Sequence, residues 1–282
     1  MTRERLRSFC LVAGWVSAIL LVSGCVNVPD PNRAPPNPEA APSFDSRDAK
    51  APLNEDTART RRARARLELA AAYFQQGQTD VALEEVKQSL QADPNSPEAY
   101  NLRGLIYSGM GDDVQAEESF RRAQSINPRD PDIMHNYGWF LCQRRRFDEA
   151  AGQFNQALAI PQYTGVSRTL LTSGICEWRA GHLDTAEATL KRAYDSAPSN
   201  PVIGVNLAEV LFQRGDYERA RFYIRRVNQS EETSNAPSHR LCARTEMKLG
   251  NQQGANELGL QLRNRFPKSR ESLSFDRGSF NE

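Results

Sequence analysis

The chain has 282 residues with 36 basic and 35 acidic side chains, a formal net charge of +1 that excludes a global electrostatic pull towards nucleic acid. With 25% charged and 39% hydrophobic residues it is not membrane-embedded along its length, and it is long enough for one elongated or two compact domains.

At the N-terminus Arg3, Arg5 and Arg7 precede an apolar run from Phe9 to Val22, the n-region and h-region of a secretory signal. The run is shorter than the roughly 20 residues a membrane-spanning helix needs. It ends in Leu21-Val22-Ser23-Gly24-Cys25, small residues ahead of a cysteine, which is the lipobox pattern of a bacterial lipoprotein. Residues 1–24 are expected to be removed and Cys25 to carry acyl chains, several of which anchor a protein effectively permanently. Val26 follows where an aspartate would direct otherwise, so the expected location is the outer membrane, with the body in the periplasm. Loss of the signal takes three arginines and one glutamate, leaving 33 basic and 34 acidic residues.

Residues 25–60 read as a disordered tether. Pro29, Pro31, Pro35, Pro36, Pro38, Pro42 and Pro52 stand among Asn, Asp, Ala and Ser with almost nothing bulky to bury, so ordering entropy is not offset. An extended chain of this kind reaches roughly 100 Å. The arginines Arg59, Arg61, Arg62, Arg64 and Arg66 lead into the first helix as a solvated face.

From 61 to 270 the sequence predicts an all-α superhelical solenoid of about six tetratricopeptide repeats, with blocks 63–96, 97–130, 131–164, 167–200, 201–234 and 236–269. In the second block Tyr100, Gly104, Tyr107, Ala116, Phe120, Ala123 and Pro128 fall at the repeat's signature positions in order. Small residues let helices A and B of a pair approach closely, and large ones fill the gaps. No single pair buries its apolar face, so neighbours must stack. Gly77, Gly111, Gly181, Gly215 and Gly250 mark the turns between helices, and Arg145 holds that place in the third block. Residues 271–282 are expected to form a flexible tail.

The sequence offers no enzyme, cofactor or metal site. His135, His182 and His239 lie in separate repeats without ligand spacing, and no hydrolase, zinc or phosphate-loop motif occurs. A small-molecule substrate is therefore not expected. The more informative positions are 5, 9 and 12 of each block, on the A helices that line the concave side of such a solenoid. Leu105, Trp139, Leu171, Ile175, Trp178 and Phe212 fall there, as a partner groove of aromatic and aliphatic anchors or, alternatively, as repeat-to-repeat core. The lysine and asparagine set of a carboxylate clamp does not appear in register. Cys142 and Cys176 stand one period apart at positions 12 and 10 of consecutive A helices, where a disulfide could clamp the third repeat to the fourth. The alternative is two buried thiols. Cys242 is left over.

The stretch Asn136-Tyr137-Gly138-Trp139-Phe140-Leu141-Cys142, with Gly174-Ile175-Cys176, Gly259-Leu260-Gln261-Leu262 and Phe266-Pro267, resembles the type IV pilus biogenesis and stability lipoproteins of the PilW/PilF family. The resemblance covers the lipobox and roughly residues 60–270; the long tether and the tail depart from it. It implies an outer-membrane protein that helps the pilus secretin localise or multimerise, or that stabilises pili. A competing reading from the residues is a lipid-anchored adaptor for cell-wall hydrolases or envelope assembly machinery.

Overall fold

The structure, a computed structural model, describes residues 55–277. The signal, the lipobox with Cys25 and nearly all of the tether lie outside the described residues. Among them run thirteen helices and no strand. Six antiparallel pairs follow one another: α1 Glu55–Gln75 with α2 Thr79–Ala92, α3 Pro97–Met110 with α4 Asp113–Ile126, and α5 Pro131–Gln143 with α6 Phe147–Leu158. Then come α7 Val166–Arg179 with α8 Leu183–Ser196, α9 Pro201–Gln213 with α10 Tyr217–Asn228, and α11 Ala236–Lys248 with α12 Gln252–Arg265. A last short helix, α13, spans Arg270–Asp276.

The local sequence sets where these helices start. Ser96, Asp130 and Asn200 each stand directly before a proline, and each side chain accepts a hydrogen bond from the first turn. Proline at that place loses no intrahelical bond and its fixed φ suits the helix, while the capping oxygen satisfies a donor left over at the N-terminus. Asn235 does the same for α11 through a reciprocal capping box with Ser238. The turn into the second helix of a pair requires a left-handed residue. Gly111 adopts φ +80°, and Arg145 is held at φ +60° in the equivalent turn of the third repeat. Arg145 is tolerated between two arginines that are tied down: Arg144 pairs with Asp113, and Arg146 bonds Glu117 at 2.7 Å and Glu149 at 2.6 Å. Arg144 and Arg146 thus take acidic partners from within the chain, and through Asp113 and Glu117 they knit the third repeat to the second. Arg214 repeats the device towards Asp184 and Glu187.

Packing follows from side-chain size. A Cβ on Gly104 would stand 2.8 Å from the Phe120 ring, so the bare backbone lets the fully buried Phe120 fill the space between α3 and α4. Tyr137 stacks on Phe120 at 5.6 Å and carries the core into the next repeat. A second cluster runs through α7 to α11 around Leu190, Leu207, Leu211 and Ile224, all fully buried.

Each A helix approaches the next A helix backbone to backbone as well as its own B partner, whereas successive B helices among the described residues meet only through longer side chains, as Gln124 and Gln153 do at 3.0 Å and Tyr194 and Tyr223 at 4.9 Å between ring centroids. The stack therefore curves towards its A helices and makes them the floor of a groove.

Two expected boundaries move. Helix α1 begins by Glu55, inside the stretch expected to be tether, because no glycine or proline follows Pro52 to stop it and Ala63 is buried, its carbonyl accepting from Ser89 Oγ at 2.8 Å. Helix α13, Arg270–Asp276, takes in the first residues of the tail expected from 271. Ser269 caps that helix, and the Phe275 ring occupies the space a side chain on Gly259 would fill. In the register of the solenoid α13 stands as a truncated A helix that covers the end of the stack.

Candidate functional site: the A-helix groove

Along the groove floor each A helix from α3 to α11 is joined to the next by a side-chain contact. Asn136 donates to Asn101 at 3.2 Å, and Arg168 pairs with Asp132. The Arg179 guanidinium lies 4.9 Å over the Trp139 ring, Trp178 Nε1 donates to Gln213 Oε1 at 2.8 Å, and Arg244 lies 4.6 Å over the Phe212 ring. Cation–π stacking of this kind stabilises by about 0.5–1 kcal/mol where exposed. The aromatics are thereby fixed in position before any partner arrives.

Five of the six sequence-predicted groove residues, Leu105, Trp139, Leu171, Ile175 and Trp178, are half-buried, with part of each surface open. Phe212 is not. It is 7% exposed, edge-on to Tyr217 at 5.3 Å and roofed by Arg244, so it belongs to the core and offers a partner almost nothing.

The groove holds a cavity of about 240 Å³ across α7, α9, α11 and the start of α13. Trp178 and Val205 provide its apolar wall, while Glu209, Arg240, Arg244 and Glu271 place both signs of charge around it. Val202, at the N-terminal end of α9, is 54% exposed. Val205, Glu209, Arg240 and Arg244 stand at positions 5 and 9 of the fifth and sixth repeats. The same counting finds them; a search restricted to large apolar residues passes over them. Glu271 comes from α13, which the sequence pattern did not reveal.

At the centre of the stack Cys142 of α5 and Cys176 of α7 form a disulfide, with Cα atoms 5.8 Å apart. Both are buried in the cluster against which Trp139 packs, and the bond holds together the two helices that carry them. Cys242 is a free thiol, also buried, and burial pushes it up to about 11. His135, 7% exposed, bonds Thr169 Oγ1 at 2.9 Å, and burial lowers its pKa to about 4, helped by nearby Arg168. A neutral, satisfied histidine of this kind braces α5 against α7. No group of His, Cys, Asp or Glu among the described residues is arranged to hold a metal ion.

Tetratricopeptide-repeat models match residues 70–111, 97–130 and 177–245. The crystal structure of PilW, a widely conserved type IV pilus biogenesis factor, superposes with a TM-score of 0.70 at 33% identity, covering 76% of this chain and 97% of that one. The chain belongs to the PilF/PilW family. Within that family the type IV pilus assembly protein PilF of Pseudomonas aeruginosa is 25% identical over 224 residues, 79% of this chain and 88% of PilF. An uncharacterised protein of Haemophilus influenzae is 31% identical over 140 residues, 50% of this chain and 76% of that protein. PilF/PilW membership makes this chain a tetratricopeptide scaffold related to pilus biogenesis.

Proposed function

We propose that this protein is an outer-membrane lipoprotein, anchored through Cys25, whose groove holds a segment of the pilus secretin and so promotes the secretin's localisation and multimerisation. The observation that carries the reading is the groove cavity at Trp178, Val205, Arg240 and Arg244, in a family member whose relatives act in type IV pilus biogenesis. An apolar wall ringed by charges of both signs suits a segment with an aliphatic or aromatic anchor and flanking charged residues. Burying the anchor supplies affinity, and the charges set register. Lipidation keeps the scaffold at the membrane where secretin subunits arrive, and it holds an aggregation-prone apolar segment until subunits assemble.

The test is a deletion strain complemented in trans. Loss of secretin multimers and of twitching, restored by the wild-type chain but not by Trp178→Glu, is the expected result. Cys25→Ser should complement poorly and leave the outer-membrane fraction. Full secretin assembly in the deletion strain would overturn the reading.

A further inference from the structure

Helix α1 is longer than the first helix of every other repeat. It runs 21 residues, whereas α3, α5, α7, α9 and α11 run 13 or 14. At 1.5 Å per residue the difference is about 10 Å of helix. Its partner α2 does not cover the addition. Ser89 Oγ bonds the Ala63 carbonyl and α2 ends soon after, at Ala92, so the turns of α1 before Ala63 run on past it. Residues 56–62 are exposed there apart from half-buried Ala58.

The most cationic eight residues of the chain lie at this end. Arg59, Arg61, Arg62, Arg64 and Arg66 are all exposed, and no Asp or Glu occurs from 57 to 67. Arg66 pairs with Glu85 at 2.8 Å, but Arg59, Arg61, Arg62 and Arg64 have no ion-pair partner among the described residues. By helical phase Arg61, Arg62 and Arg64 form the face opposite buried Ala63 and Ala70, open to a flat surface. Arg59 and Arg66 flank that face and, with Arg62, Glu84, Gln88 and Gln91, line a shallow depression of about 560 Å³ against α2. In water this arrangement works against the helix that carries it. Cations in the first turns oppose the macrodipole, and like charges three and four residues apart repel. An anionic surface reverses both effects, and guanidinium groups match phosphate oxygens in geometry.

We infer that the N-terminal overhang of α1 docks on the anionic phospholipid surface of the bilayer that carries the lipid anchor, with Arg61, Arg62 and Arg64 on headgroup phosphates. The inference rests on the lipidation proposed above for what brings that surface within reach: Cys25 precedes the helix by a short proline-rich stretch, and α1 is the first part of the described body that the chain enters. Alanine is the only apolar residue from 56 to 66, so the overhang adsorbs to headgroups and does not insert.

Vesicle co-sedimentation of the full mature chain carrying Cys25→Ser, so that no acyl group contributes, decides it. The probes are vesicles of phosphatidylcholine alone and of phosphatidylcholine mixed with phosphatidylglycerol. Binding should require phosphatidylglycerol and be released by raised salt. Each arginine near such a surface strengthens binding about fivefold, so Arg61→Gln should weaken it by about that factor and the triple Arg61→Gln/Arg62→Gln/Arg64→Gln variant on the order of a hundredfold. Thermal midpoints should not change, since all three side chains are exposed. Arg192→Gln/Arg226→Gln, two exposed arginines of the fourth and fifth repeats, should bind as the parent does. No binding to phosphatidylglycerol vesicles, equal binding without that lipid, or an equal loss in the Arg192/Arg226 variant overturns the inference. Each of those results leaves the Cys25 anchor and the groove untouched, because the complemented deletion strain tests them separately.

Discussion

Reduction of Cys142–Cys176 should loosen the centre of the solenoid and lower its stability measurably. The bond closes a loop across a sequence separation of 34 residues, and in the chain-entropy account such a loop restrains the unfolded state by roughly 4 kcal/mol. Native-state relaxation reduces that figure, so about 2–4 kcal/mol is expected. Little packing is lost, because reduced thiols remain small buried hydrophobes. The assay is equilibrium urea unfolding of the oxidised protein, the reduced protein and the Cys142→Ser/Cys176→Ser variant, with a midpoint decrease on the order of 1 M for the latter two. The double variant should not respond to reductant. Both cysteines are buried, 1% and 3% exposed, so native reduction should be slow and limited by opening of the α5–α7 contact. Denatured, unreduced protein should yield one reactive thiol besides the lipidated residue. Three reactive thiols, or a urea midpoint indifferent to reductant, would refute the reasoning.

His135 couples stability to pH. Its folded pKa of about 4 lies below the unfolded value, so the stability it contributes is present above pH 6.5 and is lost as pH falls towards 4. Between pH 7 and pH 5 the loss is roughly 2 kcal/mol, and His135→Asn should flatten that slope in urea melts. Burial lowers His239 in the same direction, whereas it raises Glu177, which opposes the trend, so the difference between wild type and variant is the quantity to measure. Cys242, pushed up to about 11, should resist alkylation in the native protein at pH 8 and react once unfolded. Phe212→Asp should bury an unpaired charge and unfold the adjoining repeats, while Trp178→Glu, on a half-buried groove residue, should cost less than about 1.5 kcal/mol and keep native helicity by circular dichroism.

The repeat period made the helices and their pairing legible, because each tetratricopeptide position has one geometric duty: Gly104 for close approach, Phe120 to fill the gap, Gly111 for the left-handed turn. Counting positions also found most of the groove, since every third or fourth residue of an A helix returns to the same face. Phe212 escaped that logic. Whether it is open depends on Arg244, thirty-two residues on, folding over its ring, and a long cationic side chain's choice of surface is not written in the period. Arg240, Glu209 and Glu271 were missed because charged residues on a helix face read as solvated until the fold converges them on one cavity. Helix α13 was missed because seven residues are too short to show a periodicity; its order comes from the contact between Phe275 and the surface at Gly259.

The central claim, that the groove holds a pilus secretin segment, is tested most directly by photo-crosslinking in cells from a probe placed at Val205, with a second probe at Leu260, 50% exposed on the last B helix, as comparison. The account predicts an adduct with the secretin from Val205 that Trp178→Glu abolishes, and none from Leu260. Secretin adducts from Leu260 with none from Val205 would contradict it.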